Sequence, residues 1–285
     1  MMRNTDFVAF ILTHGRPDNV VTYTTLKKQG YTGRIIFIID NEDKTADQYY
    51  ENFGKENVIM FDKKAISETF DTADNFNDRR AIVYARNACF NIAKDLGIKY
   101  FIQLDDDYVR LQYRFNNEYK YIYRPMWNPD EVFDILIDFY KSTQIKSIAM
   151  AQGGDFIGGG EGKKVELKRK CMNSFICGTD NPINFIGRIN DDVNVYTRSA
   201  STGDLFFTTT QVSIVQKQTQ SSDGGMTETY KEGGTYLKSF YSVMFQPSSV
   251  KIAMMGDANR RIHHNVKWNN TVPKIIRENI KRETI

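Results

Sequence analysis

The apolar run from Tyr100 to Leu104 empties into three consecutive aspartates, Asp105, Asp106 and Asp107, and this junction restricts the possible folds more than any other segment. A strand without polar alternation is buried on both faces, as in a parallel sheet covered by helices. Such sheets bind ligands outside the carboxyl ends of their strands. Two carboxylates placed there, one residue apart, suit a hard divalent cation that takes oxygen ligands and keeps positions for water or phosphate. Asp105 and Asp107 are therefore candidate ligands for Mg or Mn. An acidic turn that merely closes a strand is the competing reading.

The rest of the first half follows the same order. Phe7 to Leu12 is a fully apolar strand, followed by Thr13, His14, Gly15 and Arg16. A helix with Val20, Tyr23 and Leu26 about one turn apart then stops at Gly30. A second strand over 34–39 ends at Asp40 and Asn41, a helix runs through Tyr49 and Tyr50, and a third strand covers 58–61. The helix predicted over 81–96 puts Ile82, Ala85, Cys89, Ile92 and Leu96 on one face and leaves Arg86 and Asn87 off it. This alternation predicts an α/β fold with a mixed, mostly parallel sheet and flanking helices.

In the second half, Asn128 ahead of Pro129, Asp130 and Glu131 reads as the capped start of a helix, with Ile135, Leu136 and Phe139 on its buried side. Strands are predicted over 148–150, 185–188, 206–215, 240–245 and 250–254, giving a smaller β region. The glycines over 153–162 suit a lid over a ligand or an ordinary surface loop. One domain is expected, with a nucleotide-binding half over 1–110 and an acceptor-binding half over 111–285.

A hydrophobic share of 41% and a charged share of 26% exclude disordered and fibrous classes. The net charge of +3 is too small to identify a nucleic-acid binder by itself. Lys and Arg nevertheless cluster at 163–164, 168–170, 260–261 and 274–282, either as solvated faces or as a track for a polyanion. Cys89, Cys171 and Cys177 lack paired metal-site spacing and read as reduced thiols. No segment has the length of a membrane span and no signal-peptide pattern opens the chain, so a cytoplasmic location is expected.

Side chains after the first, second and fourth strands converge on one rim if the sheet is parallel, and they suit a nucleotide. No Gly-x-Gly-x-x-Gly opens a helix and no P-loop lysine is present, which disfavours a dinucleotide or P-loop site. The acidic triplet resembles the Asp-x-Asp motif of GT-A nucleotide-sugar glycosyltransferases. Thr13 to Arg16, Asp40 with Asn41, Asp71 to Phe76, Ala85 to Asn87, Leu104 to Tyr108 and Gly187 to Asn194 together resemble the TET/JBP-associated glycosyltransferases. That family includes the base J glucosyltransferase and phage enzymes that glycosylate hydroxymethylated pyrimidines in DNA. The likeness is dense from Phe7 to Arg110 and returns near 184–197 and 236–264.

The resemblance implies a UDP-type sugar donor, a Mn or Mg ion and a DNA acceptor, in a host cytoplasm if the chain is phage-encoded. It places Thr13, His14 and Arg16 in the nucleoside pocket and Asp40 on the base or ribose. Asp74, Asn75, Arg86, Asp105 and Asp106 would lie near the nucleotide, Arg86 being suited to phosphate by its planar fork. Asp191 and Asp192 match the acidic motif that supplies the base of inverting enzymes, with Asp192 preferred. His263 or His264 would join Asp105 and Asp107 on the metal. A glycan or protein acceptor, a non-catalytic DNA-binding module and a nucleotidyltransferase are the rival readings.

Overall fold

The computed structural model describes residues 3–74, 77–143, 145–156, 164–217, 237–255, 260–271 and 273–275. The strands are β1 (Phe7–Leu12), β2 (Arg34–Asp40), β3 (Val58–Phe61), β4 (Tyr100–Asp105), β5 (Tyr108–Phe115), β6 (Tyr121–Pro125), β7 (Ser147–Ala151), β8 (Leu167–Lys168), β9 (Phe175–Gly178), β10 (Phe206–Gln216), β11 (Val250–Met255) and β12 (Arg261–Val266). The helices are α1 (Val21–Lys28), α2 (Ala46–Phe53), α3 (Lys63–Ser67), α4 (Val83–Asp95), α5 (Pro129–Thr143), α6 (Asp191–Ser201), α7 over 237–245, and α8 (Trp268–Thr271).

One large sheet has the order β3-β2-β1-β4-β9-β7-β10-β5-β6, with β8 beside β10, and β11 with β12 forms a separate pair. β3, β2, β1 and β4 are parallel throughout. The remaining pairings turn β7, β10 and β6 the same way, so that β5, β8 and β9 are the strands of this sheet that oppose them. The sheet is therefore mixed and mostly parallel, as its sequence pattern predicts.

The absence of alternation in β1 has a direct cause. Phe7, Ala9 and Ile11 enter a core that includes Leu26 of α1, Tyr49 of α2 and Phe133 of α5, while Val8, Phe10 and Leu12 enter another that includes Cys89 of α4 and Val193 of α6. Both faces are covered. In register, Leu12 lies beside both Ile38 and Asp105, which brings the carboxyl ends of β1, β2 and β4 level at one rim. Gly30 and Gly97 close α1 and α4 at φ +90 and +67, a region that glycine enters without a Cβ clash. At the start of α5, Asn128 Oδ1 accepts from the Glu131 N–H at 3.3 Å and Asn128 Nδ2 donates to Glu131 Oε2 at 2.8 Å.

Several expectations are corrected. Residues 185–188 form no strand; the Gly187 and Arg188 N–H groups instead donate to the carbonyls of Asp71 and Thr72 at 2.8 and 3.1 Å. Residues 240–245 are helical and bury Tyr241 and Ser242, since so short an apolar stretch does not separate strand from helix. Ile135 is exposed, and α5 buries Val132, Phe133, Leu136, Ile137 and Tyr140 instead. On α4, Leu96 faces solvent while Arg86 is buried. Of the glycine-rich stretch, Gly153–Phe156 forms a single 3-10 turn, and residues 157–162 lie outside the described residues.

Gly187 makes the tightest of these contacts. At φ +78, an added Cβ would also overlap Asn194 Nδ2 and come within 2.6 Å of Phe245 Cε2. Gly187→Ala should destabilise the protein by about 2–4 kcal/mol, the sum of left-handed strain and overpacking. Chemical denaturation measures it; an unchanged midpoint would contradict this packing.

Candidate active site

At the end of β1, the Thr13 hydroxyl lies 2.8 Å from both Asp106 Oδ2 and the Tyr49 hydroxyl. Arg16 Nη1 donates to Asp106 Oδ1 at 3.1 Å, and the Arg16 N–H donates to Tyr49 at 2.9 Å. Asp106, expected beside the nucleotide, thus ties the β1 rim to the acidic triplet. His14 Nδ1 donates to Asp40 Oδ2 at 2.7 Å, and Lys63 Nζ donates to the same oxygen at 3.2 Å. The other oxygen of Asp40 accepts from the Glu42 N–H at 3.1 Å. Burial would raise the Asp40 carboxyl, but the His14 hydrogen bond and the Lys63 charge hold it below its ordinary range. Asp40 is occupied as a support, and the half-exposed His14 is the side chain this rim presents outward.

The centre of the site is a buried guanidinium. Arg86, on α4, places Nη2 3.4 Å from Asp105 Oδ1 and Nη1 2.9 Å from Asp191 Oδ2. The second contact misses hydrogen-bond geometry, and Arg86 Nε, Arg86 Nη1 and Asp191 Oδ2 are buried without a directed partner. Phe175 and Phe185 pack against the guanidinium at 5.0 and 5.7 Å. Burial works against this charge, but Asp191 and Asp105 hold it in place. Asn190, at φ +56, turns the chain into α6, whose first turn carries Asp191 and Asp192. Asp191 leans on Arg86, whereas Asp192 Oδ1 accepts from the Val193 N–H at 2.8 Å and makes no ion pair among the described residues.

Arg86 therefore joins the Asp-x-Asp junction to the second acidic pair. The resemblance implies a phosphate contact for Arg86, off the apolar stripe of its helix. Its side chain is only 3% exposed, which leaves little surface for a ligand.

The acidic centre carries more negative charge than Arg86 offsets. Burial, partly opposed by Arg86, pushes the Asp105 carboxyl up to about 7, with Asp107, Asp191 and Asp106 adding to the push. Burial raises Asp191 and Asp107 as well. Asp107 Oδ2 accepts from Gln216 Nε2 at 3.1 Å, while its Oδ1 is buried without a partner. An orphaned carboxylate oxygen among raised carboxyls fits a divalent cation. Among the described residues no three His, Cys, Asp or Glu side chains form a ready ligand set. A Mg-type ion in general needs only one or two carboxylates, with water and substrate phosphates completing its shell.

Because Asp105 and Asp191 are raised in the fold, the native protein keeps protons that the unfolded chain releases above the ordinary carboxylate range. The stability from this source is present below that range and is lost as pH rises through the folded values, about 7 for Asp105. The melting temperature of chelator-treated protein should fall between about pH 5 and pH 8, and Mn should recover it at the upper end. A steady rise over that interval would contradict the assignment.

The remaining candidates are dispersed. Asp74 gives both oxygens to Arg188 Nε and Nη2, at 2.9 and 2.8 Å, so it fastens a loop. Arg188 Nη1 also donates to Asp78, which hydrogen bonding from Arg80 above all lowers to about 2. Asn75 lies outside the described residues. His263 and His264 line a cavity to which neither Asp105 nor Asp107 contributes among the described residues, and Asn190 Nδ2, beside Asp191, lies 3.5 Å from His264 Nδ1. Burial lowers the His264 imidazole to about 4 and keeps it neutral.

Sequence reasoning missed Lys63, Tyr49 and Gln216. The strand-end rule that singled out Asp40 points to Lys63 when it is applied to β3; nothing in the sequence marks the other two.

A model of the TET-associated glycosyltransferases matches residues 7–225. The chain belongs to that family. Its mixed α/β fold, with helices on both faces of a mostly parallel sheet, is the architecture the sequence pattern predicts. No curated protein matches the chain. Among solved structures, it is similar to glucosyl-3-phosphoglycerate synthase from Mycobacterium tuberculosis in complex with Mn2+, uridine diphosphate and phosphoglyceric acid, at 6% identity over 91% of this chain and 86% of that one, TM-score 0.42. A mycobacterial protein gives 8% identity, 91% and 83% coverage and a TM-score of 0.46. A CMP:2-keto-3-deoxy-manno-octonic acid synthetase with CTP gives 9%, 51% and 52% coverage and 0.29, the chain spanning about half of its length. Likeness at such scores carries no argument about chemistry. No described helix is long and apolar enough to cross a membrane.

Proposed function

We propose that this TET-associated glycosyltransferase moves a sugar from a UDP-type donor to the hydroxyl of a hydroxymethylated pyrimidine in DNA. One observation carries the reading: Arg86 bridges Asp105 and Asp191, so that the two acidic motifs share one site. Asp105 and Asp107 would hold a Mn or Mg ion, which would offset charge on the leaving diphosphate. His14 and Arg16 would meet the nucleotide at the β1 rim. The acceptor oxygen attacks the anomeric carbon, its proton passes to Asp192, and the bond to the diphosphate breaks, giving inversion. Asp192 suits this role better than Asp191 because Arg86 already engages Asp191.

Residues 1–110 would form the donor half and 111–285 the acceptor half of one catalytic domain, working in the cytoplasm. Family membership and the exposed Arg169, Lys251 and Lys267 favour a DNA acceptor. Release of UDP should require Mn or Mg together with hydroxymethylated DNA, and should fall to background with chelator or plain DNA. Release driven by a glycan would reject the DNA acceptor, and release unaffected by chelator would reject the metal.

A further inference from the structure

A cavity of about 380 Å³ opens beside the second acidic motif, walled in part by Val193 and Tyr196 of α6, Met254 of β11, His263 and His264 of β12, and Trp268 of α8. That volume is within the range of about 300–1,000 Å³ typical of small-molecule sites. Asp192 directly precedes Val193 and stands one helical turn before Tyr196, both of which line the cavity. The cavity and the candidate base are neighbours.

Its lining is specific. Tyr196 and Trp268 stack at 5.6 Å with 16° between their planes; Tyr196 is buried while Trp268 stays 42% exposed. A half-exposed indole backed by a fixed ring is a flat platform rather than core filling. His263 Nδ1 donates to the His264 carbonyl at 2.6 Å, which fixes the tautomer and leaves Nε2 as an acceptor. Lys267 is exposed next to Trp268, and Lys251 is exposed opposite Asn265, another wall residue.

We propose that this cavity receives the acceptor base, an unstacked hydroxymethylpyrimidine lying on Trp268 with its hydroxyl toward Asp192. This rests on the DNA reading above and adds the place where the base sits. A flat heterocycle stacks on an indole whatever its sequence context, and a base in duplex DNA must leave the stack before its substituent reaches a recessed carboxylate. Lys251 and Lys267 would contact the flanking phosphates, and His263 would accept from the base edge.

The chain has 2 tryptophans, so Trp127→Phe leaves Trp268 as the sole indole reporter. In that variant, a single-stranded oligonucleotide with one hydroxymethylpyrimidine should quench the emission. Trp268→Ala should raise the acceptor KM at least about tenfold with a smaller change in kcat, and Trp268→Phe should recover most of it. His263→Ala should raise the same KM, which keeps the proposal testable if Trp268→Ala does not fold. An unquenched indole at saturating oligonucleotide, or folded Trp268→Ala with unchanged acceptor KM while the unaltered protein transfers sugar to DNA, would overturn the pocket alone. If the unaltered protein glycosylates no oligonucleotide, the DNA reading fails and the pocket falls with it.

Discussion

Asp192→Asn should lower kcat for sugar transfer by about 10²- to 10⁴-fold, the usual worth of a positioned general base, with little change in donor KM. The amide oxygen can still accept the Val193 N–H that Asp192 Oδ1 accepts now, so the turn into α6 should survive. What is lost is the ability to take a proton. Asp191→Asn should behave differently, because Asp191 is the partner of a buried guanidinium and its neutralisation disturbs the fold before it disturbs proton transfer. Single-turnover rates and melting temperatures of the two variants separate these roles. If Asp192→Asn keeps more than about a tenth of the rate, Asp192 is not the base.

Arg86→Met should cost about 3–5 kcal/mol of stability near pH 8, as expected when one partner of a buried ion pair is removed. Two carboxylates, Asp105 and Asp191, would be left without their cation among Phe175 and Phe185. The loss should shrink toward pH 5, where carboxyls with raised values hold protons and need no partner. Adding Asp191→Asn should return part of the loss, since it removes one of the two stranded charges. Urea midpoints measure all three effects. A stable Arg86→Met whose only defect is a weaker donor KM would make Arg86 a phosphate ligand and dissolve the bridge between the motifs.

The fold of the first half was legible because its rules are local. Phe7 to Leu12 and Ile35 to Ile39 are apolar throughout, Tyr100 to Leu104 is apolar but for Gln103, and a sheet covered on both faces explains that. Residues 185–188 and 240–245 misled because short, partly apolar stretches of four or six residues suit a strand, a helix or a packed loop equally, and tertiary contacts choose among them. At the site, residue types at strand ends located the rim, but not which side chain supports which. Asp40, Asp74 and Asp106 read as ligand contacts from sequence, and the fold also engages them with His14 and Lys63, with Arg188, and with Thr13 and Arg16, which no strand-end rule reports. Arg86 read as a phosphate contact off the apolar stripe because a helical stripe describes only where apolar groups go. A charged residue opposite two acidic motifs is buried by long-range pairing, which no periodicity reports.

Mass spectrometry of DNA nucleosides, after incubation of hydroxymethylated and plain DNA with UDP-sugars and Mn, tests the account most directly. A hexose-sized mass gain confined to the hydroxymethylpyrimidine, absent with chelator and with Asp192→Asn, is the predicted result. Unmodified nucleosides with every donor, alongside a modified glycan or protein, would contradict it.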